Sequence, residues 1–108
     1  MANTFKLKTK ANVGVTTSNV YAVPSATTTV VIGVTLANTS GSSINVGVGI
    51  TRASTDDVSL MKNVPIPQGS SFEFMGGNKV VLEATDTFIA ESDVNNSLDV
   101  ALTIMEIT

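Results

Sequence analysis

The sequence predicts an all-β fold, an antiparallel β-sandwich of jelly-roll or immunoglobulin-like type with eight or nine short strands. Apolar and polar residues alternate with period two through most of the chain, the pattern of strands with one buried face. Clusters of Gly, Pro, Asn, Asp and Ser interrupt the alternation at regular intervals, and no stretch carries the period of an amphipathic helix. A chain of 108 residues builds one core and is too short for two, so residues 1–108 are read as a single domain.

In "TFKLKTKANVGV", Phe5, Leu7, Thr9, Ala11, Val13 and Val15 share one face and Lys6, Lys8 and Lys10 the other. The apolar row is expected to face the core, and the lysines to face solvent or an acidic partner. "NVYAVP" is a short strand stopped by Pro24, which has no amide hydrogen to give to a ladder. "TTTVVIGVTLAN" is apolar on both sides: Val30, Ile32, Val34 and Leu36 make one face, Val31, Gly33, Thr35 and Ala37 the other, and both are expected to be covered. After the turn cluster "NTSGSS", "INVGVGITR" turns Ile44, Val46, Val48 and Ile50 inward. Gly47 and Gly49 then lie outward, where missing side chains invite close packing by a neighbour and make both candidate protein contacts.

"VSLMKNVPIP" is a strand closed by Pro65 and Pro67. "SSFEF" and "KVVLEA" flank "MGGN" and read as a hairpin, with Gly76 and Gly77 supplying the positive φ angles of a tight turn. Phe72 and Phe74 are assigned to the core, and Met75 with the two glycines to a projecting tip that packs on another subunit. "TFIAES", the turn "DVNNS" and "LDVALTIMEI" complete the chain, the last with Leu98, Val100, Leu102 and Ile104 inward.

The composition removes most enzyme chemistry. With no Cys and no His there is no thiolate, no imidazole and no zinc site of the usual kind. "SLMK", Ser59 to Lys62, has the Ser-x-x-Lys spacing of some acyl-transfer enzymes, but that pattern needs a helix, and a strand points the two side chains to opposite faces. "VGVG" lacks the third glycine and the helix of a phosphate site, and the Asn38 and Asn95 sequons fall in Ser/Asn turns where composition alone produces them. Asp56 with Asp57, and Asp86 with Glu91 and Asp93, lack the ligand spacing of a calcium loop and read as solvated acids. No catalytic, metal or cofactor residue is assigned. "MANTFKLKTKANVG" holds no apolar run of signal-peptide length, and no membrane span is expected.

Charge divides the chain. The segment up to Arg52 carries +4 with no acid, and the remainder carries −7, giving the net −3. Such a split favours pairing between the halves of one fold or between neighbouring copies, and nucleic acid is not an expected partner because the basic half lacks interleaved aromatics.

The succession "VYAVPSATTTVVIGVTLAN", "VPIPQGSS", "NKVVLEATDTF" and "SLDVALTIMEI" resembles a group of small β-sandwich structural proteins of tailed bacteriophages, notably those of marine cyanobacteria, over Thr4 to Ile107. The resemblance implies a non-enzymatic virion component, made in the host bacterial cytoplasm and bound to other virion proteins. Within the particle it implies capsid decoration on the major capsid protein lattice, or else a place in the neck, tail or a fibre. It also implies a homo-oligomer, a trimer or a ring. Lys6, Lys8 and Lys10 are the candidate docking residues. A receptor- or carbohydrate-binding module, working through "ASTDD", "MGGN" or "DVNNS", is the alternative from a different class.

Overall fold

The computed structural model describes residues 3–52, 56–74 and 80–108. All regular structure within them is strand: β1 (Asn3–Val13), β2 (Ser18–Ala22), β3 (Thr28–Asn38), β4 (Ile44–Thr51), β5 (Asp57–Ile66), β6 (Ser71–Phe74), β7 (Val80–Leu82), β8 (Thr87–Ser92) and β9 (Leu98–Ile107). One sheet has the order β1-β9-β3-β6 with β7 also on β3, the other β2-β8-β4-β5, and every pairing is antiparallel.

The partners nest. β4 pairs with its successor β5, β3 with β6 and β7, β2 with β8, and β1 with β9. This is one long antiparallel ribbon rolled over on itself, which makes the sandwich a jelly roll rather than an immunoglobulin-like fold. The core between the sheets is aliphatic, with Phe88 its largest fully buried side chain. Ile44, Val46, Val48 and Ile50 of β4, and Leu98, Val100, Leu102 and Ile104 of β9, point into it as their alternation predicts.

Five expectations fail, each for a physical reason. The "MGGN" hairpin does not exist as a pairing: β6 and β7 both run antiparallel to β3 and are therefore parallel to one another, two segments of one interrupted strand. The tip residues Met75, Gly76 and Gly77 lie outside the described residues. On β3, the register shifts between Val31 and Gly33, so an extra residue opposes Thr103 of β9. That bulge reverses the parity: Val31 is fully buried while Val30 and Ile32 are only half-buried.

On β1 the faces are opposite to expectation. Phe5 and Leu7 are 69% and 65% exposed, and the lysine side faces the other sheet. β1 is an edge strand that overlaps mainly β2, so its inner face meets the rim of the sandwich rather than the middle and has room for charge. A register shift between Lys10 and Val13, with Asn12 at φ 59°, then returns Val13 to the core. On β5, shifts around Leu60 place both Ser59 and Lys62 on the outer face, where they line one shallow groove of about 60 Å³. No hydrogen bond joins them. Phe72, opposite Leu36, lies on the inner side of edge strand β6 and remains 37% exposed, so its ring caps the core instead of filling it.

Candidate interaction surface

The densest polar cluster ties the two sheets together. Glu106 of β9 is 6% exposed, and Lys6 Nζ donates to its Oε1 at 2.7 Å. Tyr21 of β2 donates its phenol to Glu106 Oε2 at 2.5 Å, and its oxygen lies 2.9 Å from the hydroxyl of buried Thr29. Since the single phenolic hydrogen goes to the carboxylate, Thr29 is the donor in the second bond. Lys8 Nζ stands 5.7 Å from the centre of the Tyr21 ring, a cation–π distance. Burial, and next the bond to Glu106, push the Tyr21 phenol up to about 12. The Lys6 ammonium and then the Tyr21 hydroxyl hold the Glu106 carboxyl below its ordinary value. A carboxylate, a phenol and an amine in contact resemble catalytic equipment, but all the strong acceptors are occupied, and none of the depressions described here reaches them. The cluster is a clasp.

The charge asymmetry along the chain resolves in the same way. Among the described residues the ion pairs are Lys6–Glu106, Arg52–Asp86 at 3.3 Å, and Arg52–Glu83, each joining a cation of the first half to an acid of the second. Asp86, and after it Glu83, raise the pKa of Arg52 further. Lys6 and Lys8 are thus engaged within the chain, and Lys10 makes no ion pair among the described residues. The backbone that Gly47 and Gly49 admit also belongs to the same chain. A Cβ on Gly49 would lie 2.5 Å from the Val58 carbonyl oxygen of β5, and one on Gly47 would touch Glu91 and the Met61 carbonyl.

Loop acids and amides serve as caps. Asp93 accepts the Asn45 amide at 2.9 Å and Asn95 accepts that of Val15 at 3.2 Å. Asn38 is buried and donates to the carbonyls of Ser42 and Ile66 at 2.8 and 2.9 Å, so its amide nitrogen is fully used. Among the described residues no three of His, Cys, Asp or Glu converge to hold a metal ion. Among the described residues no helix is long and apolar enough to cross a membrane.

The two outward faces of the sandwich differ sharply. That of the β2-β8-β4-β5 sheet carries Glu91, Lys62 and Asp93 around a polar depression of about 420 Å³. On the β1-β9-β3 sheet, register places Phe5, Met105, Val30 and Val81 side by side across four strands, with Leu7 beside Thr103 in the next row. Phe5, Leu7 and Val81 are largely exposed. Further along the same strands the side chains become small, and Thr9, Ala11, Thr35, Ala37 and Ala101 line an apolar groove of about 220 Å³. The acids among the strand residues of this face are Glu73 and Asp99, both at its groove end, where Lys10 also lines the groove. Sequence reasoning assigned this row to the core. The signal that could have corrected it is Glu106 in the inward register of β9, which requires a cation opposite.

No family model matches the sequence, and no curated protein matches it. Among solved structures the chain is similar to a protein of Bacillus endospore appendages, described as a novel family of disulfide-linked pili. The TM-score is 0.60 at 12% identity, over 99% of this chain and 87% of that one. At that identity the likeness is one of fold: this is an all-β sandwich of a kind that a pilus protein also adopts.

Proposed function

We propose that the chain is a non-enzymatic structural protein that works by contact with other proteins in an assembly, and specifically a component of a tailed-bacteriophage virion. The carrying observation is the outward face of the β1-β9-β3 sheet, where large apolar side chains are exposed together instead of scattered singly. Its polar clusters are consumed in holding the fold, which leaves recognition to surface shape and apolar area. The phage resemblance supports a virion component, and the small size of the chain favours a decoration protein of the major capsid protein lattice ahead of neck, tail or fibre. A decoration protein adds binding free energy across subunit boundaries of a shell, and many copies of a modest contact suffice. The fold of the pilus protein supports the assembly class without choosing the particle. A receptor- or carbohydrate-binding role has less support, because the "DVNNS" loop spends Asp93 and Asn95 on capping.

The test is immunogold labelling of purified virions with antibody against the recombinant protein. Labelling over the head supports decoration, and labelling at neck, tail or fibre supports the virion role at another position. Absence from particles, with the protein confined to the soluble lysate, ends the virion reading.

A further inference from the structure

We propose that the outer face of the β1-β9-β3 sheet binds the same face of a second copy, forming a two-fold pair in which the Phe5–Met105 ridge of each chain seats in the small-residue groove of the other and Leu7 meets its own counterpart. The face carries both halves of such a contact: a ridge at the Phe5–Met105 row and, further along the same strands, the groove floored by Ala37 and Ala101. A two-fold axis crossing the strands at the Thr103–Gly33 row exchanges the two ends. At that row a Cβ on Gly33 would meet nothing within 4 Å, which leaves room on the axis beside the projecting Leu7 for side chains of the other copy.

Charge permits this arrangement and opposes the parallel one. Glu73 and Asp99 lie at the groove end. From the Met105 row to the Asp99 row is six residues of strand, about 20 Å at the usual rise. In the two-fold pair the acids of the two copies therefore sit at opposite ends, above the uncharged ridges, whereas a parallel stacking would set them against one another. The area is sufficient as well. Three strands of about nine residues, with β6 and β7 beside them, give roughly 500 Å² per copy from standard strand spacings. About 1,000 Å² in total is the lower bound for a specific interface, consistent with a reversible pair instead of an obligate one.

The pair rests on the reading of this chain as an assembly part only for its biological setting, and it departs from the trimer that the phage resemblance implies. Light scattering and sedimentation equilibrium of the purified protein, from about 1 to about 500 μM, span the affinities expected of an interface of this size. The expected result is a rise in mass from the 11.2 kDa chain toward about twice that value, unchanged or strengthened at high salt. Phe5→Ser with Leu7→Ser weakens the pair at least about tenfold, as loss of central apolar anchors does. Thr9→Lys, at the opposite end of the same face, has the same effect. These positions are exposed, and circular dichroism with the thermal midpoint checks that each variant folds as the parent does. A monomer throughout, a trimer, a pair lost at high salt, or a pair indifferent to both variants overturns the proposal. A monomer that still labels virions would end the pair and leave the virion role standing; a dimer absent from virions would do the reverse.

Discussion

Tyr21 is the single tyrosine of a chain without tryptophan, so its ionisation can be followed alone by ultraviolet absorbance. Held by Glu106, Thr29 and burial, it is expected to titrate near 12 in the folded protein against about 10 when unfolded. The folded state keeps a proton that the unfolded chain releases, so stability is full below pH 10 and falls between about 10 and 12. Glu106 behaves in the opposite sense. Its carboxyl is held below the ordinary value, so its contribution is complete above that value and disappears as pH falls through the lowered one. Denaturant titrations across the acid range should show that loss in the parent and a flatter profile in Glu106→Gln; equal slopes in both would remove Glu106 from the account. At Gly49 an added methyl meets the Val58 carbonyl, whereas at Gly33 it meets open space. Gly49→Ala should lose about 1–3 kcal/mol of unfolding free energy through overpacking. Gly33→Ala should gain about 0.5 kcal/mol through a less flexible unfolded chain.

Within elements, the bulges decide which residue is core. Alternation identified β4 and β9 residue by residue because nothing interrupts their inward rows, Ile44 to Ile50 and Leu98 to Ile104. On β3 and β5 the sequence shows apolar residues at consecutive positions, Val30 to Ile32 and Leu60 to Met61, and gives no sign of where the extra residue sits. Val31→Ala should therefore cost about 2 kcal/mol, as truncation of a fully buried branched side chain does, and Val30→Ala less than half as much. Equal losses would place the bulge elsewhere. On β1 the alternation is legible but its direction is not, because Phe5 and Leu7 are the better core candidates by hydrophobicity alone. What inverts the strand is a single distant residue, Glu106: the sequence shows it in the inward register of β9 but not that β1 is the strand beside it. The apolar face was invisible for the same reason, since its ridge had been placed inside. The glycines of "MGGN" suggested a hairpin because local turn chemistry says nothing about which third strand two segments share. Here β3 takes both.

For the whole molecule, the absence of cysteine fixes how it can assemble. Any assembly built from this sequence alone is free of disulfides and should ignore reducing agents, unlike one held by disulfides. Sedimentation with and without a thiol reductant checks this, and a change in mass on reduction would contradict it. The rolled ribbon also imposes an order in time. β1 leaves the ribosome first, yet β9, its hydrogen-bonded partner, begins at Leu98, about 85 residues after β1 ends. At about 5–20 residues per second that is a wait on the order of ten seconds. Through that wait the eleven residues of β1 lack the strand they pair with in the fold. Lysine at every second position from 6 to 10 keeps two such strands from zipping together by charge repulsion. The lysines that clasp Glu106 and cover Tyr21 in the fold are thus also, by charge, poor neighbours for a second copy of β1.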